Sequence, residues 1–329
     1  MLVTGASGFL GGHLVEEILL KGYDVIAMVR KSSNTDLLNK LGVKLRIGDL
    51  EEPESLVDAT KGIDVIIHLA AYYTFFGKKE MYKKVNVEGT RALLEAVCKN
   101  NVKKVIYCST TEAIGPVKNP PADENAPANP SYEYGRSKLE AEKMVKEYGQ
   151  RGIEYTIVRP SGIYGPRNVD DISYWFIMAF AKNAFPTRFI VGSGKNLVQF
   201  AHVKDVVQGF LLVLEKPEIS NGQTYFISED KAYTYLQVYE ILSELCGREP
   251  PKIHIPPIIA KMMIAPVDFF NSLRGKADFN WKISTVNAVT SDRAYSINKA
   301  IRELGFKPKY DLRTGLKETL EWYKNNGFL

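Results

Sequence analysis

The stretch V-T-G-A-S-G-F-L-G-G, at residues 3–12, decides the fold predicted for this chain. A short apolar run leads into three glycines spaced three apart, and an apolar helical pattern follows at once. This order predicts a strand, a tight turn and a helix N-terminus, where unpaired N–H groups and the helix dipole can hold a pyrophosphate. We assign the turn to Gly5, close approach of the phosphate to Gly8 and helix-to-strand packing to Gly11. The stretch therefore predicts a dinucleotide site.

Strand and helix patterns alternate as far as residue 160. The predicted strands are residues 24–29, 43–47, 64–71, 102–110 and 153–159, and the predicted helices are residues 37–41, 53–61, 86–100 and 131–151. The alternation predicts an α/β fold, a Rossmann-type doubly wound parallel sheet. Ligands of such sheets bind outside the carboxyl ends of the strands.

Beyond Pro160 the pattern becomes irregular, which predicts a second, smaller unit. We expect a dinucleotide-binding Rossmann domain over residues 1–160, to which segments of about 187–228 return. Residues 161–186 and 229–329 would form a smaller mixed α/β substrate lobe.

Composition limits the classes of protein. The 43 basic and 38 acidic residues are interleaved, so we expect no nucleic-acid partner. The three cysteines lie far apart, which favours a reducing compartment, and no histidines have metal-ligand spacing, so no metal is expected. The chain starts on the first strand and has no apolar run of membrane-spanning length. We therefore expect a cytoplasmic protein without a signal peptide or membrane span.

The segment I-H-I-P-P-I-I-A-K-M-M-I-A-P-V-D-F-F, residues 253–270, is unusually apolar. We expect it to pack in the core of the smaller lobe. The alternatives are the rim of a lipid-accepting pocket and peripheral contact with a membrane surface.

Tyr134 and Lys138 share one helix face, because they lie four residues apart. The ammonium is expected to lower the pKa of the phenol, so that the tyrosine can exchange a proton with an alcohol or a carbonyl while a nicotinamide exchanges hydride. Tyr295 and Lys299 have the same spacing but lie in the tail of the chain, so we assign them no catalytic role.

Hydroxyl residues at 109–111 end the preceding strand. One of them could hydrogen-bond the reacting oxygen beside the tyrosine. The alternative is a helix cap or a turn.

Six motifs occur in one order. They are the glycine turn, L-A-A at 69–71, N-V-E-G-T at 86–90, S-T-T-E-A-I-G at 109–115, Y-G-R-S-K at 134–138 and R-P-S-G-I-Y-G-P at 159–166. Together they resemble the extended short-chain dehydrogenase/reductase family, also called the NAD-dependent epimerase/dehydratase family.

The resemblance implies a catalytic set. Counting back from Gly115 gives Thr110 as the catalytic hydroxyl, with Ser109 as the second choice. Tyr134 would be the acid/base and Lys138 would hold the nicotinamide ribose. Asn86 would support the site, although a helix N-cap is equally consistent with its position.

The resemblance also implies ligand contacts. The cofactor-binding residues would be Gly5, Ser7, Gly8, Phe9, Leu10, Gly11, Arg30, Lys31, Ser32, Asp49, Leu50, Leu69, Ala70, Ala71, Asn86, Ser109, Tyr134, Lys138, Pro160, Ser161, Gly162 and Ile163. The substrate-binding residues would be Tyr72, Tyr73, Thr111, Glu112, Tyr164 and Trp175. Family members assemble through helices matching residues 90–100 and 134–149, which implies a homodimer.

Arg30 bears on the choice of cofactor. Family members that use NAD have an acidic residue at this place, whereas a basic residue accommodates the 2′-phosphate of NADP. We therefore predict NADP, with NAD as the alternative.

Three branches of the family compete. A sugar-nucleotide epimerase would carry an arginine where Val198 stands, and a dehydratase would have Asp before Glu where this chain has Thr111 and Glu112. Residues 192–209 and 109–116 are similar to 3β-hydroxysteroid and sterol-4α-carboxylate dehydrogenases, and residues 30–34 and 70–76 to dihydroflavonol-reductase-like proteins. We therefore predict an oxidoreductase that interconverts a secondary alcohol and a ketone or aldehyde on a hydrophobic small-molecule substrate.

Two other hypotheses remain open. One is an NDP-sugar epimerase or dehydratase with tightly bound NAD. The other is a non-enzymatic dinucleotide sensor or scaffold, for which a damaged catalytic set would be expected; here all three residues are present.

Overall fold

A seven-stranded parallel sheet forms the centre of the computed structural model, which describes residues 1–74, 76–278 and 282–329. The strand order is β12-β7-β6-β4-β1-β2-β3. The strands of this sheet are β1 (Leu2–Thr4), β2 (Ile26–Val29), β3 (Lys44–Ile47), β4 (Val65–His68), β6 (Lys104–Cys108), β7 (Glu154–Pro160) and β12 (Gln223–Ile227). The chain reverses its direction of winding between β1 and β4, so this is a doubly wound Rossmann-type sheet, as predicted.

Short strands form four two-stranded pairs outside this sheet. They are β5 (Phe76–Lys78), β8 (Gly162–Tyr164), β9 (Phe189–Val191), β10 (Leu197–Val198), β11 (Phe200–His202), β13 (Tyr233–Thr234), β14 (Ile253–Ile255) and β15 (Lys276–Asp278). The pairs are β10 with β13, β11 with β8, β14 with β9 and β15 with β5.

Helices cover both faces of the sheet and make up much of the later part of the chain. They are α1 (Phe9–Leu20), α2 (Asp36–Lys40), α3 (Pro53–Ala59), α4 (Lys79–Met81), α5 (Gly89–Lys99), α6 (Glu133–Gly149), α7 (Ile172–Ala181), α8 (Val203–Glu215), α9 (Pro217–Ser220), α10 (Tyr235–Cys246), α11 (Pro257–Leu273), α12 (Ile283–Val289) and α13 (Leu312–Asn325). Short 3-10 helices lie at Thr111–Ala113 and Phe185–Arg188, and π-helical turns lie at Tyr82–Glu88 and Ala300–Leu304.

The side chains of the apolar strands pack in two separate cores, one on each face of the sheet. Ile66 packs with α3, α5 and α6 on one face, and its neighbour Ile67 packs with α1 and α8 on the other. Successive side chains of a strand point to opposite faces, so a strand covered on both sides must be apolar throughout. This requirement accounts for the unbroken apolar run that identified β4 in the sequence.

The predicted strands and helices are present, but most are shorter than expected. The run at residues 64–71 gives a strand only over Val65–His68, after which the chain turns away along the edge of the cleft. The helix expected from residue 86 begins at Gly89 and follows a π-helical turn that contains Asn86.

A third apolar core, apart from the two that flank the sheet, is built by α7, α10 and α13. Tyr164 lies at its centre. It is fully buried, its hydroxyl donates to the carbonyl of Asp311, and its ring lies where any side chain on Gly315 would have to be. Tyr164 therefore has a packing role in place of the substrate contact expected from the sequence.

The prediction that residues 253–270 pack in the core of the smaller lobe is wrong. Most of this segment forms α11, of which only Ala260 is buried. Its large apolar side chains face solvent. None of the helices in the described ranges has the length and apolar character needed to cross a membrane.

Candidate active site

The glycine turn between β1 and α1 leaves no room for side chains. Gly5 has φ +68°, and a Cβ on it would lie 2.8 Å from the amide nitrogen of Ala70. A Cβ on Gly11 would lie 2.1 Å from the carbonyl oxygen of Gly5. Gly8 is the N-cap of α1 and supplies no side chain to its first N–H groups. The amides of Phe9, Leu10 and Gly11 therefore remain available at the positive end of the helix.

A cavity of about 360 Å³ opens beside this turn. Ala6 and Ser7 line it on one side and Leu37 and Leu38 on the other. Arg30, Lys31 and Ser32 are exposed in the loop that leads from β2 to α2, and the amide of Arg30 donates to Ser33 Oγ at 3.0 Å.

The remaining predicted cofactor residues lie at the carboxyl ends of the sheet strands. Asp49 and Leu50 follow β3, and Leu50 packs against Gly89. Leu69, Ala70 and Ala71 follow β4 and are half-buried, and the amide of Ala70 donates to Thr4 Oγ1 at 3.1 Å. Pro160 ends β7.

Three of the predicted cofactor residues, Ser161, Gly162 and Ile163, already make contacts within the protein. Ser161 is buried and its hydroxyl lies 2.7 Å from that of Ser228. Gly162 and Ile163 pair with β11. The Ser161 hydroxyl would therefore have to leave Ser228 in order to contact a cofactor.

Asn86 links the loop after β4 to helix α6 through hydrogen bonds. Its Oδ1 accepts from the amide of Tyr72 at 2.6 Å, and its Nδ2 donates to the carbonyl of Tyr72 at 3.1 Å and to Ser137 Oγ at 3.0 Å. It lies inside a π-helical turn, so the alternative role of helix N-cap is excluded. Such turns are frequent at functional sites.

The three hydroxyl residues at the end of β6 have different surroundings. Ser109 is buried and donates to Glu142 Oε1 at 2.5 Å, beside the ion pair between Glu142 and Arg159. Thr111 is also buried, and it is hydrogen-bonded to Tyr295. Thr110 is half-buried, and its Oγ1 accepts from the amide of Glu112 at 3.2 Å. Of these three residues, only Thr110 is half-buried and not fully buried, and its hydroxyl caps the short 3-10 helix that follows.

Ser109 was expected to touch the cofactor and Thr111 the substrate. Both hydroxyls are directed into the protein, so the two contacts stay predictions that would have to use other atoms of these residues.

Tyr134 and Lys138 lie on the first turns of α6, and Lys138 is almost completely buried. Its ammonium lies 4.2 Å from the centre of the Tyr107 ring, and no hydrogen-bond acceptor contacts it among the described residues. Burial lowers the pKa of Lys138 to about 8. A buried ammonium of this kind can still donate to the hydroxyls of a ligand.

The prediction that Lys138 lowers the pKa of Tyr134 is wrong. Burial raises the pKa of Tyr134 well above its ordinary value, and the nearby acidic groups of Cys108, Asp171 and Glu112 raise it further. Desolvation of the phenolate outweighs the helical neighbour. Tyr134 is therefore a protonated phenol, which is the form of a proton donor.

Aromatic rings surround this phenol. The ring of Tyr73 packs edge-on against it with centres 4.8 Å apart, and that of Tyr82 lies 6.5 Å away. Tyr72 in turn packs on Tyr82 at 5.0 Å. The surroundings of the Tyr134 phenol are thus largely aromatic.

Asp171 is a site residue that the sequence prediction missed. It caps α7, and its carboxyl accepts a hydrogen bond from Tyr73. Burial raises the pKa of Asp171 to about 6. An aspartate immediately before an apolar helix is a recognisable N-cap signal, but nothing in the sequence places it beside Tyr73. Trp175, a predicted substrate residue, lies one turn further along α7 and is half exposed.

Glu112 is paired with an arginine from the smaller lobe. Arg293 Nε donates to Glu112 Oε1 at 3.0 Å, its Nη2 donates to Ser131 Oγ at 3.3 Å, and Tyr132 is hydrogen-bonded to the same glutamate. The guanidinium is only 8% exposed. This arginine is therefore neutralised within the protein.

Tyr295 and Lys299, the second pair with the same spacing, are not part of the cleft. Tyr295 donates to the carbonyl of Gly115 at 2.6 Å, and Lys299 Nζ donates to Gln223 and to the carbonyl of Thr224.

The residues present fit a dinucleotide. The turn at Gly5, Gly8 and Gly11 forms a cradle that a Cβ would fill, at the N-terminus of α1, where no side chain caps the helix. Lys138 is a buried cation near the start of α6.

Comparison with known proteins gives one family. Residues 1–228 match the model of the NAD dependent epimerase/dehydratase family.

The similar proteins include both enzymes named for sterols and enzymes named for UDP-glucose. Sterol demethylase protein B of Methylococcus capsulatus is 29% identical, with 100% of this chain and 99% of that protein aligned. A putative UDP-glucose 4-epimerase of Methanocaldococcus jannaschii is 30% identical, with 99% of each chain covered. Human sterol-4-alpha-carboxylate 3-dehydrogenase, decarboxylating, is 26% identical over 98% of this chain and 88% of its own length.

Among solved structures, the UDP-glucose 4-epimerase of Thermotoga maritima, crystallised with UDP-glucose, has a TM-score of 0.80 and 25% identity. The superposition covers 99% of this chain and 98% of that chain.

Proposed function

The chain belongs to the NAD dependent epimerase/dehydratase family of extended short-chain dehydrogenases/reductases, and on that premise we propose that it is an NADP(H)-dependent oxidoreductase that interconverts a secondary alcohol and a ketone on a hydrophobic substrate. The observation that carries the proposal is the setting of the Tyr134 phenol. Its ring packs beside those of Tyr73 and Tyr82, and the buried Lys138 lies four residues further along the same helix.

The dinucleotide, when bound, supplies or takes up the hydride. Gly5, Gly8 and Gly11 with the first amides of α1 would hold its pyrophosphate, and Lys138 its nicotinamide ribose. Tyr134 donates its proton to the carbonyl oxygen as negative charge develops there, and it recovers a proton when the alcohol is oxidised. Thr110 Oγ1 donates a second hydrogen bond to the same oxygen and keeps it in position.

The choice of NADP is supported by Arg30. Its side chain is exposed beside the adenosine end of the proposed cofactor site, and no ion pair engages it among the residues described. Binding a 2′-phosphate would therefore not break an existing contact.

The hydrophobic substrate is supported by two features of the cleft. The rings of Tyr73 and Tyr82 pack beside that of Tyr134, and the ring of Tyr72 packs on Tyr82. Val198 stands where sugar-nucleotide epimerases carry an arginine, and Arg293 is already committed to Glu112. The diphosphate of a nucleotide sugar would therefore meet no arginine at position 198, and Arg293 would not be free to bind it.

The second candidate is an NDP-sugar epimerase or dehydratase with tightly bound NAD. The similarity to the two UDP-glucose 4-epimerases favours it. A dehydratase is opposed by the ion pair of Glu112, because that carboxylate cannot act as a free acid while it is bound to Arg293.

The test is a screen of the purified protein with two classes of substrate. NADPH oxidation is followed with 3-ketosteroids and with aromatic ketones, and epimerisation of UDP-glucose is measured in parallel. We expect turnover with hydrophobic ketones and none with UDP-glucose. Epimerisation without ketone reduction, or release of a stoichiometric tightly bound NAD on denaturation, would overturn the proposal.

A further inference from the structure

Helix α11 turns its apolar side towards solvent. Eight of its large apolar residues have exposed fractions between 38% and 70%: Ile258, Ile259, Met262, Met263, Val267, Phe269, Phe270 and Leu273. The helix has 17 residues, so the exposed stripe is about 26 Å long at 1.5 Å per residue.

The polar residues of α11 lie on the opposite side. At about 100° per residue the exposed apolar residues fall within one half of the helix circumference, and Lys261, Asp268, Asn271 and Ser272 fall within the other half. Asp268 Oδ2 accepts from the amide of Ile283 at 3.1 Å, and Ser272 Oγ accepts from Lys79 Nζ at 3.5 Å. The amphipathic helix is thus held to the protein by its polar face.

The exposed patch is larger than a monomer normally tolerates. With residue surfaces of roughly 200 Å² each, the exposed fractions give on the order of 1,000 Å² of apolar surface. The largest apolar patch on a typical monomer is roughly 300–600 Å² and is often functional. Such a stripe requires an occupant.

Basic residues flank the stripe at both ends. The segment 248–276 contains five basic and two acidic residues. Arg274 follows the helix, and Lys78 is brought to the same end because β5 pairs with β15. Arg248 and Lys252 precede the helix. Lys252 pairs with Glu249 at 2.6 Å, Lys78 with Glu80 at 3.9 Å, and Lys79 with Glu133 at 3.8 Å on the protein side. Among the described residues, no ion pair engages Arg248 or Arg274.

The positions of these basic residues favour one of two binding partners for the stripe, a second copy of the chain or an anionic lipid surface. A symmetric dimer would place the stripe against its own copy, and each basic end would then meet another basic end. An anionic lipid surface offers both an apolar layer for the stripe and negative charge for its ends.

We propose that the exposed face of α11 docks on the surface of an anionic lipid bilayer, with the helix lying in the plane of the interface. Phe269 and Ser272 of the same helix also line a cavity of about 540 Å³ that reaches Glu133, the residue before Tyr134. Docking through α11 therefore holds the catalytic helix close to the lipid. If the substrate is hydrophobic, as the proposed function has it, it reaches the cleft from the bilayer.

The test is flotation of the full chain with vesicles, which does not require turnover. Vesicles of phosphatidylcholine alone are compared with vesicles that also contain phosphatidylglycerol. We expect co-flotation with the anionic vesicles that decreases at high salt, and at least a tenfold loss of bound protein in the double variant M262Q/F270Q. The matched control is Leu20→Gln, which changes an exposed apolar residue of α1 and should float like the wild type.

Thermal unfolding of the double variant should match that of the wild type, because both side chains face solvent. Failure of the wild type to float with anionic vesicles would overturn the proposal, as would equal flotation of the double variant. Sedimentation of the wild type as a dimer and of M262Q/F270Q as a monomer, without vesicle binding, would assign the face to a second copy. None of these results depends on whether the protein reduces ketones.

Discussion

Gly11→Ala should damage the dinucleotide site far more than Gly12→Ala, although the two glycines are neighbours in α1. The new Cβ of Gly11→Ala would lie 2.1 Å from the carbonyl oxygen of Gly5 and 2.7 Å from Ala6 Cα, both of them backbone atoms. Carbon–oxygen contacts are normally about 3.3–3.6 Å, so the helix N-terminus must retreat from the turn by on the order of 1 Å.

Two costs follow from this displacement. Overpacking of this kind lowers the free energy of unfolding by roughly 1–3 kcal/mol, of which the better helix propensity of alanine recovers about 1 kcal/mol. The amides of α1 also move away from the bound phosphates. Weakening one hydrogen bond to a charged group costs about 1.5–3 kcal/mol, which corresponds to a roughly 10–150-fold loss of dinucleotide affinity.

Gly12→Ala is the matched control. Its Cβ would meet Leu37 Cδ2 at 2.8 Å, the mobile end of a side chain that can rotate away. Titration calorimetry with NADP and NAD, together with thermal unfolding, measures both effects. Equal affinities of the two variants would refute the assignment of the pyrophosphate to this turn.

Three further perturbations test other parts of the site. Arg30→Glu should weaken NADP binding about 10–100-fold in titration calorimetry and leave NAD binding unchanged, because only the 2′-phosphate needs the cation; parallel losses would exclude Arg30 from that role. Because the pKa of Lys138 is lowered to about 8, its side chain is charged below that pH and neutral above it. We therefore expect kcat/KM for the cofactor to fall as pH rises through about 8. A flat profile up to about pH 10 would contradict this. Asn86→Ala leaves the buried amide and carbonyl of Tyr72 unpaired, and should lower the free energy of unfolding in urea by about 1–3 kcal/mol, whereas an unchanged midpoint would mean that the loop is held by other contacts.

The sheet could be predicted from the sequence because its signal is local. Each apolar run with a helix after it gives one parallel strand, and the glycine turn identifies the first. The register between strands and the return of β12 beside β7 depend on contacts between residues far apart in the chain. The sequence pattern only suggested that a segment returns.

The errors at the site have a common physical origin. Sequence spacing brought Tyr134 and Lys138 to one helix face, but the pKa of the phenol depends on burial, which the spacing does not report. The hydroxyls of Ser109 and Thr111 are equivalent to that of Thr110 in the sequence. Only the buried partners Glu142 and Tyr295 distinguish them.

Helix α11 shows the same limit for a surface. Its sequence is amphipathic and apolar, and this pattern normally predicts a helix packed on a core. The pattern does not state which half of the circumference meets the protein. Here Asp268 and Ser272 make the contacts to the protein, so the apolar half is left outside.

The most direct test of the proposed chemistry is Tyr134→Phe, measured as turnover of a reducible ketone alongside NADP affinity. Tyr225→Phe is the control, since it removes another buried hydroxyl, one bonded to Glu303 outside the cleft. We expect Tyr134→Phe to lose turnover by at least about 100-fold, the usual contribution of general acid catalysis, with NADP affinity close to that of the wild type. Turnover equal to that of Tyr225→Phe would contradict the assignment of Tyr134 as the proton donor.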